Sequence, residues 1–284
     1  MSIVVTGATG HLGRHVVTQL LEKVPAEQIT AVVRDEAKAA DFAAKGVKIA
    51  VANYNAPETF DGVFAAGDKV LLISGNEFDK GRPAQHQVVI DAAKAAGVAL
   101  LAYTSAPGSL TASLVDDHRA TEKVLLASGL PYTLLRNGWY HENYTENLAP
   151  VLEHNAVVAA AGEGRVSSAS RADYAAAAVA VLTGEGHENQ TYELGGDTAW
   201  SFAEYAAEIA KQTGKDIAYN SVPAETLKGI LTGSGMQEPF AGILVGVDVS
   251  IAKGELVVDS GDLSRLAGRP TSPISEAIAL ALKG

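Results

Sequence analysis

Six short runs rich in β-branched and other apolar residues, at positions 2–6, 29–34, 47–52, 69–74, 99–105 and 132–137, alternate with longer stretches over the first half of the chain. Strands that are apolar on both faces cannot sit at the surface, and strands separated by helices cannot pair as hairpins. The pattern therefore predicts an α/β fold with a doubly wound parallel sheet covered by helices on both sides. The intervening helices are expected at 12–24, with Val16, Val17, Leu20 and Leu21 on one face, and near 36–45, 57–66, 83–96 and 117–128. A sheet of this kind binds ligands beyond the carboxyl ends of its strands, which directs the search for function there.

The alternation weakens after about residue 150. "YELGGD" (192–197) reads as another strand, "SFAEYAAEIAKQTG" (201–214) as a helix capped by Ser201 and ended by Gly214, and "SPISEAIALAL" (272–282) as a last helix. The expected organisation is a nucleotide-binding domain over 1–150, to which segments near 168–196 return, and a smaller α/β substrate or lid domain over 151–284.

Gly7, Gly10 and Gly13 form G-x-x-G-x-x-G between the first strand and the first helix. Bare backbone permits the tight turn and the close approach of a pyrophosphate, and the helix N-terminus offers free N–H groups. In this strand-turn-helix setting the motif points to a dinucleotide. At the end of the second strand, where an acidic residue would hydrogen-bond the ribose 2′-OH of NAD, the chain places Arg34 followed by Asp35. Arginine suits a 2′-phosphate and favours NADP, with Lys38 as a possible second charge. The alternative is a surface arginine beside an Asp35 helix cap.

Composition removes several other classes. A formal charge of −11 repels nucleic acid and anionic lipid. The absence of cysteine excludes disulfides, thiolate catalysis and thiolate metal sites. His11 and His15 are one turn apart, but no third ligand lies near them in sequence and His11 sits inside the glycine loop, so no metal is expected. A G-x-S-x-G elbow is lacking, which argues against serine hydrolysis. No apolar run reaches the ~18 residues of a membrane span and no secretory leader is evident, so a cytoplasmic protein is expected.

Reductases on this fold often use a Tyr-x-x-x-Lys pair, in which the lysine helps the phenol donate a proton to a carbonyl. None of the nine tyrosines is followed by lysine four residues on, and Arg119 stands four before Lys123. Hydride transfer into a conjugated acceptor, with a proton from water, needs less help than reduction of a simple ketone. Tyr103 and Ser105, at the end of the fifth strand, and Lys123 are the catalytic candidates. A packed tyrosine, a capping serine and a solvated helix face carrying His118 and Lys123 are the structural alternatives.

"TGATGHLG", Arg34, "AAKAAGV" with "AYTS", "YTLLRNGWYHENY" and "SASRADYAAAA" resemble the NmrA-like atypical short-chain dehydrogenase/reductases over nearly the whole chain. Within that group the bacterial type 2 NAD(P)H:quinone oxidoreductases are most similar, and the triphenylmethane dye reductases slightly less so. The resemblance implies a Rossmann-type domain with a small C-terminal domain, NADPH as donor without flavin or metal, and direct hydride transfer to a quinone or similar planar acceptor. By position it assigns Gly7, Thr9, Gly10, His11 and Leu12 to the pyrophosphate and Arg34 to the 2′-phosphate. Ser74, Gly75 and Asn76 are assigned to the nicotinamide ribose, and Gly138, Trp139, Tyr140, His141, Glu142 and Asn143 to the nicotinamide end, with Asp173 a further contact. The chain departs from those relatives at "SGNEF" and at Asn53 in "VANY". Some members of the wider family bind dinucleotide without turnover and act as redox sensors, so a regulatory protein is the alternative expectation. A monomer or homodimer is expected.

Overall fold

The expected alternation is realised as β1 (Ile3–Thr6), α1 (His11–Leu20), β2 (Ile29–Val33), α2 (Ala40–Ala43), β3 (Lys48–Val51), β4 (Lys69–Leu72), α3 (Arg82–Ala96), β5 (Leu100–Ser105), α4 (Asp116–Ser128) and β6 (Tyr132–Asn137). There follow α5 (Glu142–Thr145), α6 (Ala149–His154), β7 (Ala156–Ala159), β8 (Arg165–Val166), α7 (Arg171–Thr183), β9 (Gln190–Leu194), β10 (Trp200–Ser201) and α8 (Phe202–Thr213). The remaining elements are β11 (Ala218–Ser221), α9 (Ala224–Gly233), α10 (Glu238–Ala252), α11 (Asp262–Ala267) and α12 (Ile274–Ala281). This computed structural model describes residues 2–75, 81–111, 115–146 and 148–283.

Seven strands form one parallel sheet in the order β3-β2-β1-β4-β5-β6-β9. The order reverses between β1 and β4, the switch point where the ends of neighbouring connections diverge and leave a crevice. The period of two along each strand divides its side chains between two cores. Leu100 and Ala102 of β5 join one core with Val16, Val17 and Leu20 of α1 and Ala175, Ala177 and Ala178 of α7. Leu101 and Tyr103 join the other, with Val89, Ile90 and Ala93 of α3 and Leu125 of α4. A third core, around Trp200, Phe202, Tyr205, Val157 and Ile251, belongs to the later part of the chain. There β7 pairs with β11 in parallel and β8 with β10 in antiparallel fashion.

Several elements are shorter than the sequence pattern suggests. The first helix ends at Leu20 rather than at 24. The stretch 36–45 is a 3-10 turn over Glu36–Ala39 followed by the single turn of α2, and Asp35 does cap it through Ala37 N. Near 57–66 only a 3-10 turn at Pro57–Phe60 forms, because Thr59 bonds the backbone of Asn53 and Ala56 and Gly62 takes a positive φ of 74°. By contrast α8 has the capping box from Ser201 to Glu204 and ends on Gly214, as its sequence signals require. None of the described helices is long and apolar enough to cross a membrane.

Candidate active site

The glycine turn links the first strand to the first helix with backbone that no larger residue could supply. Gly7 has φ 61°, and Gly10 N donates to Gly7 O at 2.9 Å. A Cβ on Gly13 would stand 2.3 Å from Gly7 O and 2.8 Å from Ala8 Cα, so α1 lies directly on the turn. Gly10 provides no side-chain cap and the first turn of α1 holds no acidic residue. The positive end of the helix is thus left for an anion, as the sequence spacing implies.

This turn forms one end of a cleft of about 530 Å³ that runs across the carboxyl ends of the strands. Its lining includes Gly7, Thr9, Gly10, His11 and Leu12, then Arg34 after β2, Asn53, Tyr54 and Asn55 after β3, and Ser74 and Gly75 after β4. Asn76 lies outside the described residues. The phenol of Tyr54 donates to Ile73 O at 2.9 Å and meets the Thr6 hydroxyl, which itself donates to Leu71 O. One tyrosine thereby ties the ends of β1, β3 and β4 into a common floor. Burial raises its pKa, so it remains a phenol.

Farther along, α3 and α4 supply a buried polar chain behind the cleft wall. Gly75 N donates to His86 Nε2 at 2.9 Å, and a backbone amide can only donate. Burial, helped by Arg82, pushes His86 down to about 3. The neutral ring must then carry its proton on Nδ1 and donate it to Thr121 Oγ1 at 2.8 Å, while Thr121 donates to Asp117 O. Arg82 holds Asp117 at 3.1 Å. Next to this chain, Tyr103 OH lies 2.8 Å from His118 Nδ1. His118 lines the cleft, but Tyr103 is 0% exposed and does not. The expectation that Tyr103 faces the reacting centre is corrected by the strand's own alternation, which turns it into the α3–α4 core.

The other two catalytic candidates separate. Ser105 borders the cleft but donates to Glu122 Oε1 at 2.6 Å. Glu122 in turn holds Arg136 through both oxygens, and Arg136 reaches Glu193 of β9 at 2.8 Å. These partners raise the Arg136 pKa and fix Ser105 within a structural network. Lys123 is exposed and borders a side depression rather than the cleft.

At the end of β6, Asn137, Gly138, Trp139, Tyr140 and Asn143 line the cleft, whereas His141, Glu142 and Asp173 do not. A carbonyl only accepts, so His141 Nε2–H donates to Ser272 O at 2.9 Å, which leaves Nδ1 to accept from Ser168 Oγ at 2.8 Å. Trp200 Nε1 also donates to Ser168 Oγ. Glu142 Oε1 accepts from Arg171 N. Asp173 is 0% exposed, accepts from Ser272 N and pairs with Arg269 at 2.6 Å. His141 and Asp173 fasten the 269–272 segment behind the cleft and Glu142 holds the start of α7 there, a correction to their assignment at the nicotinamide end.

Tyr54, Asn55, Arg82, Gln85, Thr104, Arg171, Ile243 and Leu256 also line the cleft and were missed from sequence. The rule that ligands lie beyond strand ends could have found Tyr54, Asn55 and Thr104. Ile243 and Leu256 come from a region without a comparable positional rule. Together they make the mouth apolar, with Leu110, Val115 and Trp139.

The residues present fit a dinucleotide. One end is the glycine cradle, and near the other Asn137 Oδ1 is buried without a hydrogen-bond partner, an acceptor lacking a donor. An uncapped helix at the switch point of a parallel sheet, continuing into an apolar mouth, defines a nicotinamide dinucleotide-binding protein with room for a second ligand. The chain belongs to the NAD(P)H-binding family, whose pattern it matches over residues 7–185. It is 45% identical to quinone oxidoreductase 2 of Escherichia coli (strain K12), over 97% of each chain. The structure of the NADPH-dependent quinone oxidoreductase of Escherichia coli in complex with NADPH superposes with a TM-score of 0.95, at 44% identity and 99% coverage of both chains. The triphenylmethane reductase of Citrobacter sp. in complex with NADP(H) superposes with a TM-score of 0.94, at 40% identity over 99% of this chain and 100% of that one.

Proposed function

We propose that the protein is an NADPH-dependent reductase that passes hydride to a quinone or a similar planar, conjugated acceptor. The observation that carries this reading is the continuous cleft, with a glycine cradle and Arg34 at one end and an apolar, aromatic mouth at the other. Similarity to quinone oxidoreductase 2 over nearly the full length supports it. In this reading Gly7, Thr9, Gly10, His11 and Leu12 hold the pyrophosphate, and Arg34 binds the 2′-phosphate. Ser74 and Gly75 lie along the nicotinamide ribose, and Gly138, Trp139, Tyr140 and Asn143 orient the ring. Bound there, NADPH supplies the hydride. The protein contributes orientation, a flat apolar surface on Trp139 for the acceptor, and exclusion of water. We take residues 1–150, with the returning 168–196 segment, as the cofactor-holding part and the rest of 151–284 as the acceptor-facing part; the junction of β9 with the main sheet supports this division.

The similarity to triphenylmethane reductase favours a second acceptor class, cationic triphenylmethane dyes. Both are tested by following the reduced nicotinamide band of NADPH or NADH with and without quinones and dyes. Acceptor-dependent oxidation that is faster with NADPH supports a reductase and identifies its acceptor. Tight NADPH binding without turnover on any acceptor overturns the reading and leaves a dinucleotide sensor.

A further inference from the structure

The acceptor's oxygen needs a partner. Adding hydride to one end of a quinone pushes an electron pair onto a carbonyl oxygen, giving a hydroquinone monoanion that takes its last proton from water. A preformed donor at that oxygen lowers the barrier because its interaction strengthens as the charge develops. The Tyr-x-x-x-Lys pair that supplies such a donor in related chemistry is absent, Ser105 donates to Glu122, and Lys123 is outside the cleft.

We propose that His118 is this donor, presenting Nε2–H to the acceptor oxygen because Tyr103 occupies Nδ1. The proposal rests on the reductase reading above. The ring lines the cleft beside Ser105 and Val115, so a ligand in the mouth can reach it. Its other nitrogen faces the fully buried Tyr103 hydroxyl at 2.8 Å. That phenol must direct its proton to an acceptor. The Thr121 hydroxyl, which also meets the phenol, receives Nδ1–H of His86, donates to Asp117 O and keeps one lone pair, whereas the more basic acceptor, His118 Nδ1, lies in hydrogen-bond range. A phenol donating to Nδ1 leaves the imidazole proton on Nε2, the tautomer suited to hydrogen-bond an oxyanion.

The surroundings keep the ring neutral across the working range. Burial, with the charge of Arg82 and the neighbouring His86, pushes His118 down to about 3. Burial also raises the Tyr103 pKa, so the phenol holds its proton. His118 is therefore a hydrogen-bonding catalytic residue and not an acid that transfers its own proton. Tyr103 is a positioning residue, acting through His118.

Three measurements test this. Nitrogen-15 NMR of the histidine side chains should show His118 protonated on Nε2 in the wild type, and Tyr103→Phe should redistribute that proton. A wild-type ring protonated on Nδ1 overturns the proposal. In a titration of the NADP⁺-loaded protein with p-nitrophenolate, an oxyanion probe, His118→Ala should weaken binding about tenfold while NADP⁺ affinity holds. Unchanged phenolate affinity overturns the proposal whatever the enzyme turns over. In steady state, His118→Ala should lower kcat for a quinone by about 10²-fold, and by at least ~10-fold more than for a triphenylmethane cation, which receives hydride on carbon and develops no oxyanion. Equal losses on both acceptors overturn it. A wild type inactive with every quinone defeats the quinone reading, and the tautomer and phenolate measurements then decide His118 alone.

Discussion

In the proposed reading, Arg34 separates two cofactors that differ by one phosphate. Its place after β2 was legible from spacing alone, and the structure sets it on the wall of the cleft. A charge-assisted contact to a phosphate contributes about 1.5–3 kcal/mol, so Arg34→Ala should raise the KM for NADPH roughly 10- to 100-fold and leave that for NADH within about threefold. Equal effects on both cofactors in steady-state kinetics would remove Arg34 from the 2′-phosphate. The glycine turn was equally legible, because only glycine tolerates the contacts found at residue 13. Tyr103 and His141 were harder to place. Each adjoins residues that do line the cleft, yet strand alternation sends one into the core and a carbonyl from the far C-terminal region captures the other.

At the scale of elements, strands were read more faithfully than helices. Runs that are apolar on both faces have few alternatives to an interior strand, which fixes β1, β2, β4, β5 and β6, while β3 takes the exposed edge of the sheet. The stretches near 36–45 and 57–66 carried helical composition, but local side-chain bonds and Gly62 divert the second into turns. The segment 269–271 carried no periodicity and Ser272 was read as the start of the last helix, which begins at Ile274, yet 269–272 forms the clamp with His141, Ser168 and Asp173 that joins α5 and α7. Removing His141 leaves Ser272 O and the Ser168 hydroxyl each short of a partner in a buried site. His141→Ala should therefore cost about 2–4 kcal/mol in urea unfolding, while the folded fraction binds NADPH with wild-type affinity. A variant of normal stability with weakened NADPH binding would return His141 to the cofactor.

At the scale of the whole molecule, buried neutral histidines make stability depend on acidity. His86 and His118 are both held near pKa 3, so below the ordinary histidine value of 6.5 the unfolded chain binds protons that the folded chain refuses. Asp248 opposes them: burial pushes it up to about 6, and between pH 4 and 6 it is the folded chain that binds this proton. Two protons gained on unfolding less one lost leaves a net uptake of at least one, to which His141 and His187, both lowered by burial, add in the same direction, so the slope is roughly 1.4 kcal/mol per pH unit or more with stability falling toward acid. The Tm should therefore drop steadily from pH 7 to pH 5. A Tm that is flat or rises over that interval would show that these histidines are protonated in the folded protein.

The outermost strand of the sheet, β9, reaches its place beside β6 only after the chain has travelled through the third core, and α7 arrives on the same return journey to cover α1. During synthesis, then, a chain that has emerged only as far as residue 150 carries a bare edge along Thr133–Asn137 and an uncovered apolar face around Val16, Val17 and Leu20. Such a nascent chain is sticky on two sides. The part of the protein that holds the glycine cradle therefore cannot mature ahead of the rest, and its quality control during translation falls to whatever shields it until residue 194 has left the ribosome.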